Sequence, residues 1–117
     1  MLPLLRIAFW SAAIFAFVMA VLPDPPVLPD MPSDTLQHAA AFTTLAVLGS
    51  AGYPRLSLLK LMVVLFVFGG LIEAIQILPA LHRDSDLSDW GVDTLAIVCA
   101  LIGMQLVRSL RTAGQSN

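Results

Sequence analysis

The chain has 117 residues, of which 58% are hydrophobic and 12% charged, with a net charge of -2 and a mean hydropathy of +0.87. A soluble domain carries roughly a quarter charged residues, so this composition predicts one integral membrane domain rather than a water-soluble one. The acidic balance and the absence of any Lys or Arg cluster exclude a nucleic-acid partner.

In chain order, Arg6 precedes the apolar run Ile7 to Leu22, broken only by Ser11 and close to the roughly 20 residues that cross a bilayer. This is the first expected span. A cleaved signal peptide is the alternative, because Val18 and Ala20 fit the small-residue pattern before a cleavage site. Pro23, Pro25, Pro26, Pro29 and Pro32 then remove backbone donors and enforce extended conformation, which predicts a stiff connecting loop. Ser33 or Asp34 reads as an N-cap, since a short acceptor side chain satisfies free amides of a first helical turn. The second expected span, about 36–53, is the least apolar, with Gln37, His38, Thr43 and Thr44 in its first half. Polar residues of this kind are tolerated where they face other helices.

Gly52-Tyr53-Pro54-Arg55 predicts a tight turn, and 58–78 a third span with Lys60 near its start and Pro79 beyond its end. Lys60 is placed to snorkel to the interface. Gly69 and Gly70 suit either close helix approach or simple packing. The fourth span, about 90–107, begins with Trp90 as an expected interfacial anchor and is followed by Arg108 and Arg111. The polar tail from Thr112 is expected to be disordered. The lone cysteine, Cys99, lies within this last run and reads as packing filler.

The expectation is therefore an all-α bundle of four transmembrane helices in one domain. On that topology Arg6, Arg55, Lys60, Arg108 and Arg111 share one side and only Arg83 lies on the other, so the positive-inside rule puts both termini in the cytoplasm. All eight acidic residues fall in the outer half. The positive-inside rule does not use acids, so their segregation points to a polar site facing outward.

The spacing sharpens that site. Asp34 and His38 are four apart, Glu73 and Gln76 three apart, and Asp89 and Asp93 four apart, so each pair shares one face of its helix. At about 1.5 Å per residue, Glu73 and Asp93 each lie roughly 4 to 8 Å inside their helix ends. An ionisable residue inside a span is costly and is a functional-site candidate by default.

Asp34-Thr-Leu-Gln-His38, Glu73-Ala-Ile-Gln76, Arg83 and Asp89-Trp-Gly-Val-Asp93, on four short spans, resemble the VanZ-like family of bacterial membrane proteins. The likeness runs from about Asp30 to Gly103. The family pattern looks like Asp-Lys-x-x-His, Glu-x-x-Gln, an Arg, and Asp-x-x-x-Asn/Asp-x-x-Gly. Here Thr35 stands in the lysine position, Ala96 in that of the last glycine, and Asp93 in that of the Asn/Asp. Without the lysine, recognition of an anionic ligand falls more heavily on Arg83. The resemblance implies a cell-envelope role in the bacterial inner membrane, in a family linked to resistance to the glycopeptide antibiotic teicoplanin.

Two functions follow as expectations. In the first, an enzyme acts on the headgroup of a membrane lipid or lipid-linked envelope precursor. His38, Glu73 and Asp93 are its catalytic candidates, with His38 as general acid or base because it titrates near neutral pH. Asp34, Gln76, Arg83 and Asp89 are its substrate-binding candidates, with Arg83 suited to clamp a phosphate. A divalent metal is compatible with one His among several carboxylates, although no motif such as His-Glu-x-x-His is present. In the second, a non-catalytic protein uses the same residues to hold a ligand or as an interhelical network. Outside the site, His82, Asp84, Asp24 and Asp30 read as loop surface.

Overall fold

The computed structural model describes residues 1–23, 34–81 and 87–115. These form four α-helices, α1 (Leu2–Val21), α2 (Asp34–Gly52), α3 (Leu58–Gln76) and α4 (Leu87–Gln115), with a single 3₁₀ turn at Pro79–Leu81. No strand occurs among the described residues. α1 starts earlier than the hydrophobic run predicts, because Pro3 in the first turn gives up an amide that has no helical acceptor there anyway. α4 continues to Gln115, well past the expected onset of a disordered tail. Arg108 ties that part of the helix to α2, and Thr112 Oγ1 donates to Arg108 O at 3.0 Å.

The α2–α3 connection is a turn in which Leu56 N donates to Tyr53 O at 3.0 Å, with Pro54 where a type I or II turn favours it. Ser57 caps α3, its hydroxyl accepting from Lys60 N at 3.1 Å. The short turn makes α2 and α3 antiparallel neighbours. Gly49 lies against Leu61 and Phe42 lies against Gly69, so stepping back along α2 is stepping forward along α3. α1 is also antiparallel to α2, with Phe9 beside Gly49 and Arg6 beside Gly52.

Of the four helices, α2 is the one most enclosed: it packs on α1, α3 and α4. Phe42, Leu45 and Ala46 of α2 are buried, as are Leu61, Leu65 and Ile72 of α3 and Ile97 and Leu101 of α4. The outer surface carries large apolar side chains that no helix covers. Eight lie on α1, among them Ile7, Trp10, Ile14 and Phe15, six on α3 and five on α4, whereas α2 exposes only Leu36 and Val47. A water-soluble bundle does not present such a surface, and a membrane protein does. α1, α3 and Ser88–Gly114 of α4 are each long and apolar enough to cross a membrane. α2 is not among them, and its composition is less apolar because its neighbours take up most of its surface.

Two arginines close the end of the bundle at the α2–α3 turn. Arg6 Nε donates to Gly52 O at 2.7 Å, and Arg108 donates to Ser50 O at 2.9 Å and Leu56 O at 3.3 Å. Gly52 O and Ser50 O are carbonyls at the C-terminus of α2, where the helix has no donors of its own and a cation is favourable, and Leu56 O lies in the turn that follows. Arg6 also stacks over the Tyr53 ring at 4.6 Å.

The Trp90 indole packs on α3: it stacks on Phe66 with centroids 4.7 Å apart, and Nε1 donates to Phe66 O at 3.0 Å. Gly70 provides the flat surface, since a methyl group there would lie 2.9 Å from the Trp90 ring. Cys99 is exposed rather than packed in the core, because it sits on the outward face of α4.

Candidate functional site

The polar residues meet at the end of the bundle opposite the arginines. From the Phe42–Gly69 contact, four residues back along α2 is His38 and four forward along α3 is Glu73. One helical turn in opposite directions on antiparallel helices brings these two to the same level. α4 supplies the third member directly, with His38 Nδ1 3.8 Å from Asp93 Oδ2. That separation is within ion-pair range and too long for a hydrogen bond.

All three groups are withdrawn from the surface. Asp93 is 1% exposed and Glu73 3%, while the His38 side chain retains 14%. Asp93 Oδ1 is buried with no hydrogen-bond partner among the described residues. A carboxylate oxygen held this way costs free energy on the order of a few kcal/mol, which a donor from a ligand would recover. Beside it, the imidazole is the one group whose ordinary titration range includes neutral pH. Proton exchange at His38, with Asp93 fixing the charge beside it, is the chemistry this arrangement can supply.

Gln76 is 3% exposed and completes the level from α3. Its Nε2 donates to Ala20 O at 2.8 Å, joining the end of α3 to the end of α1. That bond uses one of the amide's two donor hydrogens, and the carboxamide has further donor and acceptor capacity. Asp89 lies one turn before Asp93, half-buried in the first turn of α4, where a negative charge complements the helix dipole. Asp34 opens α2 one turn before His38. Arg83 lies outside the described residues, as do His82, Asp84 and Asp86. Among the described residues no group of three or more His, Cys, Asp or Glu is arranged to hold a metal ion.

The sequence reading missed a groove. A cavity of about 310 Å³ lies between α1 and α2, walled by Ala12, Ala16 and Ala20 on one side and Ala40 and Ala41 on the other, with His38 in its lining. Its signal was present as alanine at every fourth position of α1, which places small residues along one face. In a chain so rich in alanine and leucine, that spacing is equally the spacing of ordinary helix packing.

No family model, no curated protein and no solved structure matches this chain.

Proposed function

We propose that the chain is a VanZ-like, four-span protein of the bacterial inner membrane whose outward site acts on the headgroup of a lipid or lipid-linked cell-envelope precursor. The observation that carries this reading is the pairing of His38 with the buried Asp93 at 3.8 Å, level with Glu73, in a bundle whose outer surface is otherwise apolar. In this proposal α2 is the second span, shielded by its neighbours, and both termini are cytoplasmic. His38 gives or takes a proton at the headgroup, Asp93 stands beside the imidazole, and Glu73 is the second acid or base. Gln76, Asp89 and Asp34 orient the polar headgroup. Arg83, in the position of the family's arginine, engages its phosphate, and does so without the lysine that Thr35 replaces.

The test is a set of single substitutions, His38→Asn, Glu73→Gln, Asp93→Asn and Arg83→Ala, read out by lipid and precursor profiles of the envelope. The proposal expects the same component of the profile to change in all four. Unaltered profiles throughout would sink it.

A second reading has its own support. The Gln76–Ala20 bond ties two helices together whether or not a ligand binds. In that reading the polar group is a non-catalytic network that sets helix register, or a binding site without chemistry. Binding without chemistry would survive His38→Asn in large part, whereas proton transfer would not.

A further inference from the structure

The groove between α1 and α2 has the form of an amphiphile. Its polar lining, Gln37 and His38, lies at the site end. The rest is apolar, and the one hydroxyl at the far end, that of Thr44, is turned onto its own helix, donating to Ala40 O at 2.9 Å. From Ala20 to Ala12 the groove follows α1 for about 12 Å at 1.5 Å per residue. Half of a hydrocarbon core is roughly 15 Å, so its length matches one leaflet. Phe15 and Met19 line the groove and are themselves exposed, at 68% and 37%, so the groove opens sideways onto the outer surface of the bundle. The alanines share the lining with Phe15, Met19, Phe42 and Ile72, and about 310 Å³ is room for a flexible chain but not for a helix, which with its side chains is about 10–12 Å across.

We propose that this groove seats one acyl chain of a glycerophospholipid, which reaches the site sideways between α1 and α2 and presents its headgroup end to His38. This rests on the headgroup reading above and adds the substrate class and its route. The small side chains of Ala12, Ala16 and Ala40 keep the slot open. His38, in the wall of the groove and 3.8 Å from Asp93, is where the chain gives way to polar atoms.

The full-length protein in phosphatidylethanolamine/phosphatidylglycerol vesicles, doped with phosphatidylglycerol carrying a diazirine midway along one acyl chain, tests this after irradiation and peptide mapping. The adducts are expected on 12–20 and 37–44 at several-fold the level found around Val63 and Val67, an equally exposed apolar face of α3. Ala16→Trp should lower groove labelling several-fold, and Ala40→Phe, from the opposite wall, should do the same if the first variant folds poorly. Even labelling of the two faces, or groove labelling unchanged in both variants, overturns the proposal. Displacement of the label by a polyprenyl phosphate but not by excess phospholipid overturns the acyl assignment. His38→Asn separates the two readings. Altered envelope profiles with even labelling leave the headgroup function standing and remove the groove, while groove-specific labelling with unaltered profiles does the reverse.

Discussion

Asp93 sits at 1% exposure with one carboxylate oxygen unpartnered among the described residues and the other 3.8 Å from an imidazole. A group kept for stability would be fully hydrogen-bonded, because an apolar side chain of similar size packs as well without the desolvation cost. Replacing both members of the pair, His38→Leu together with Asp93→Leu, is therefore expected to leave the folded protein as stable as the parent, or more stable by about 1 kcal/mol, while abolishing activity. Thermal unfolding in detergent beside envelope profiles measures both, and a loss of stability above about 2 kcal/mol would favour the register network instead. Gln76 makes the contrasting case, since its bond to Ala20 O is complete. Gln76→Leu should cost about 0.6 to 1.7 kcal/mol, the range of interhelical hydrogen bonds in membranes, in the same unfolding measurement. The double replacement and Gln76→Leu thus separate a pair held for chemistry from a residue held for packing.

Among the elements, α3 and α4 are fitted by one aromatic ring lying on one glycine. Gly70→Val would drive two methyl groups into the Trp90 indole, which is held on α3 by stacking on Phe66 and by its hydrogen bond to Phe66 O. Overpacking of this kind costs about 1–3 kcal/mol, and it should appear as a shifted indole emission together with a lower unfolding temperature. At the other end, Arg108→Ala removes two charge-assisted bonds to Ser50 O and Leu56 O, worth about 1.5–3 kcal/mol. Faster hydrogen exchange across the α2–α3 turn is its expected signature. Neither contact was legible in the sequence, which offered Trp90 and Arg108 only as residues near a membrane surface. The helices themselves were legible, since runs of apolar residues separated by proline-rich or charged stretches admit few other structures. His38, Glu73 and Asp93 could be grouped by their depth from helix ends alone. Which helix each faces depends on register, and register is set by contacts such as Phe42–Gly69 that no local pattern encodes.

For the molecule as a whole, the number of membrane crossings turns on α2. By composition alone it falls short of a span, and three crossings would leave the termini on opposite sides. Its position argues for a fourth. α2 lies antiparallel to both α1 and α3, from the Phe9–Gly49 and Gly49–Leu61 contacts at one end to the His38 level at the other. Its outward threonines are already satisfied, Thr43 and Thr44 donating to Ala39 O and Ala40 O at 2.8 and 2.9 Å, so they present little polar surface to hydrocarbon. With only Leu36 and Val47 as large exposed apolar side chains, α2 needs little hydrophobicity of its own to cross between α1, α3 and α4. Four crossings place Arg6, Arg55, Lys60, Arg108 and Arg111 together on one side, as the positive-inside rule requires, whereas three would separate Arg6 from the rest. Yet Arg6 and Arg108 both reach the C-terminal carbonyls of α2, so they lie at one end of the bundle. Reporters fused before Met1 and after Asn117 should accordingly both read as cytoplasmic, and a reporter that is active only in the periplasm should be silent at either end. Opposite readings at the two ends would exclude α2 as a span and move the His38 site out of the outer leaflet.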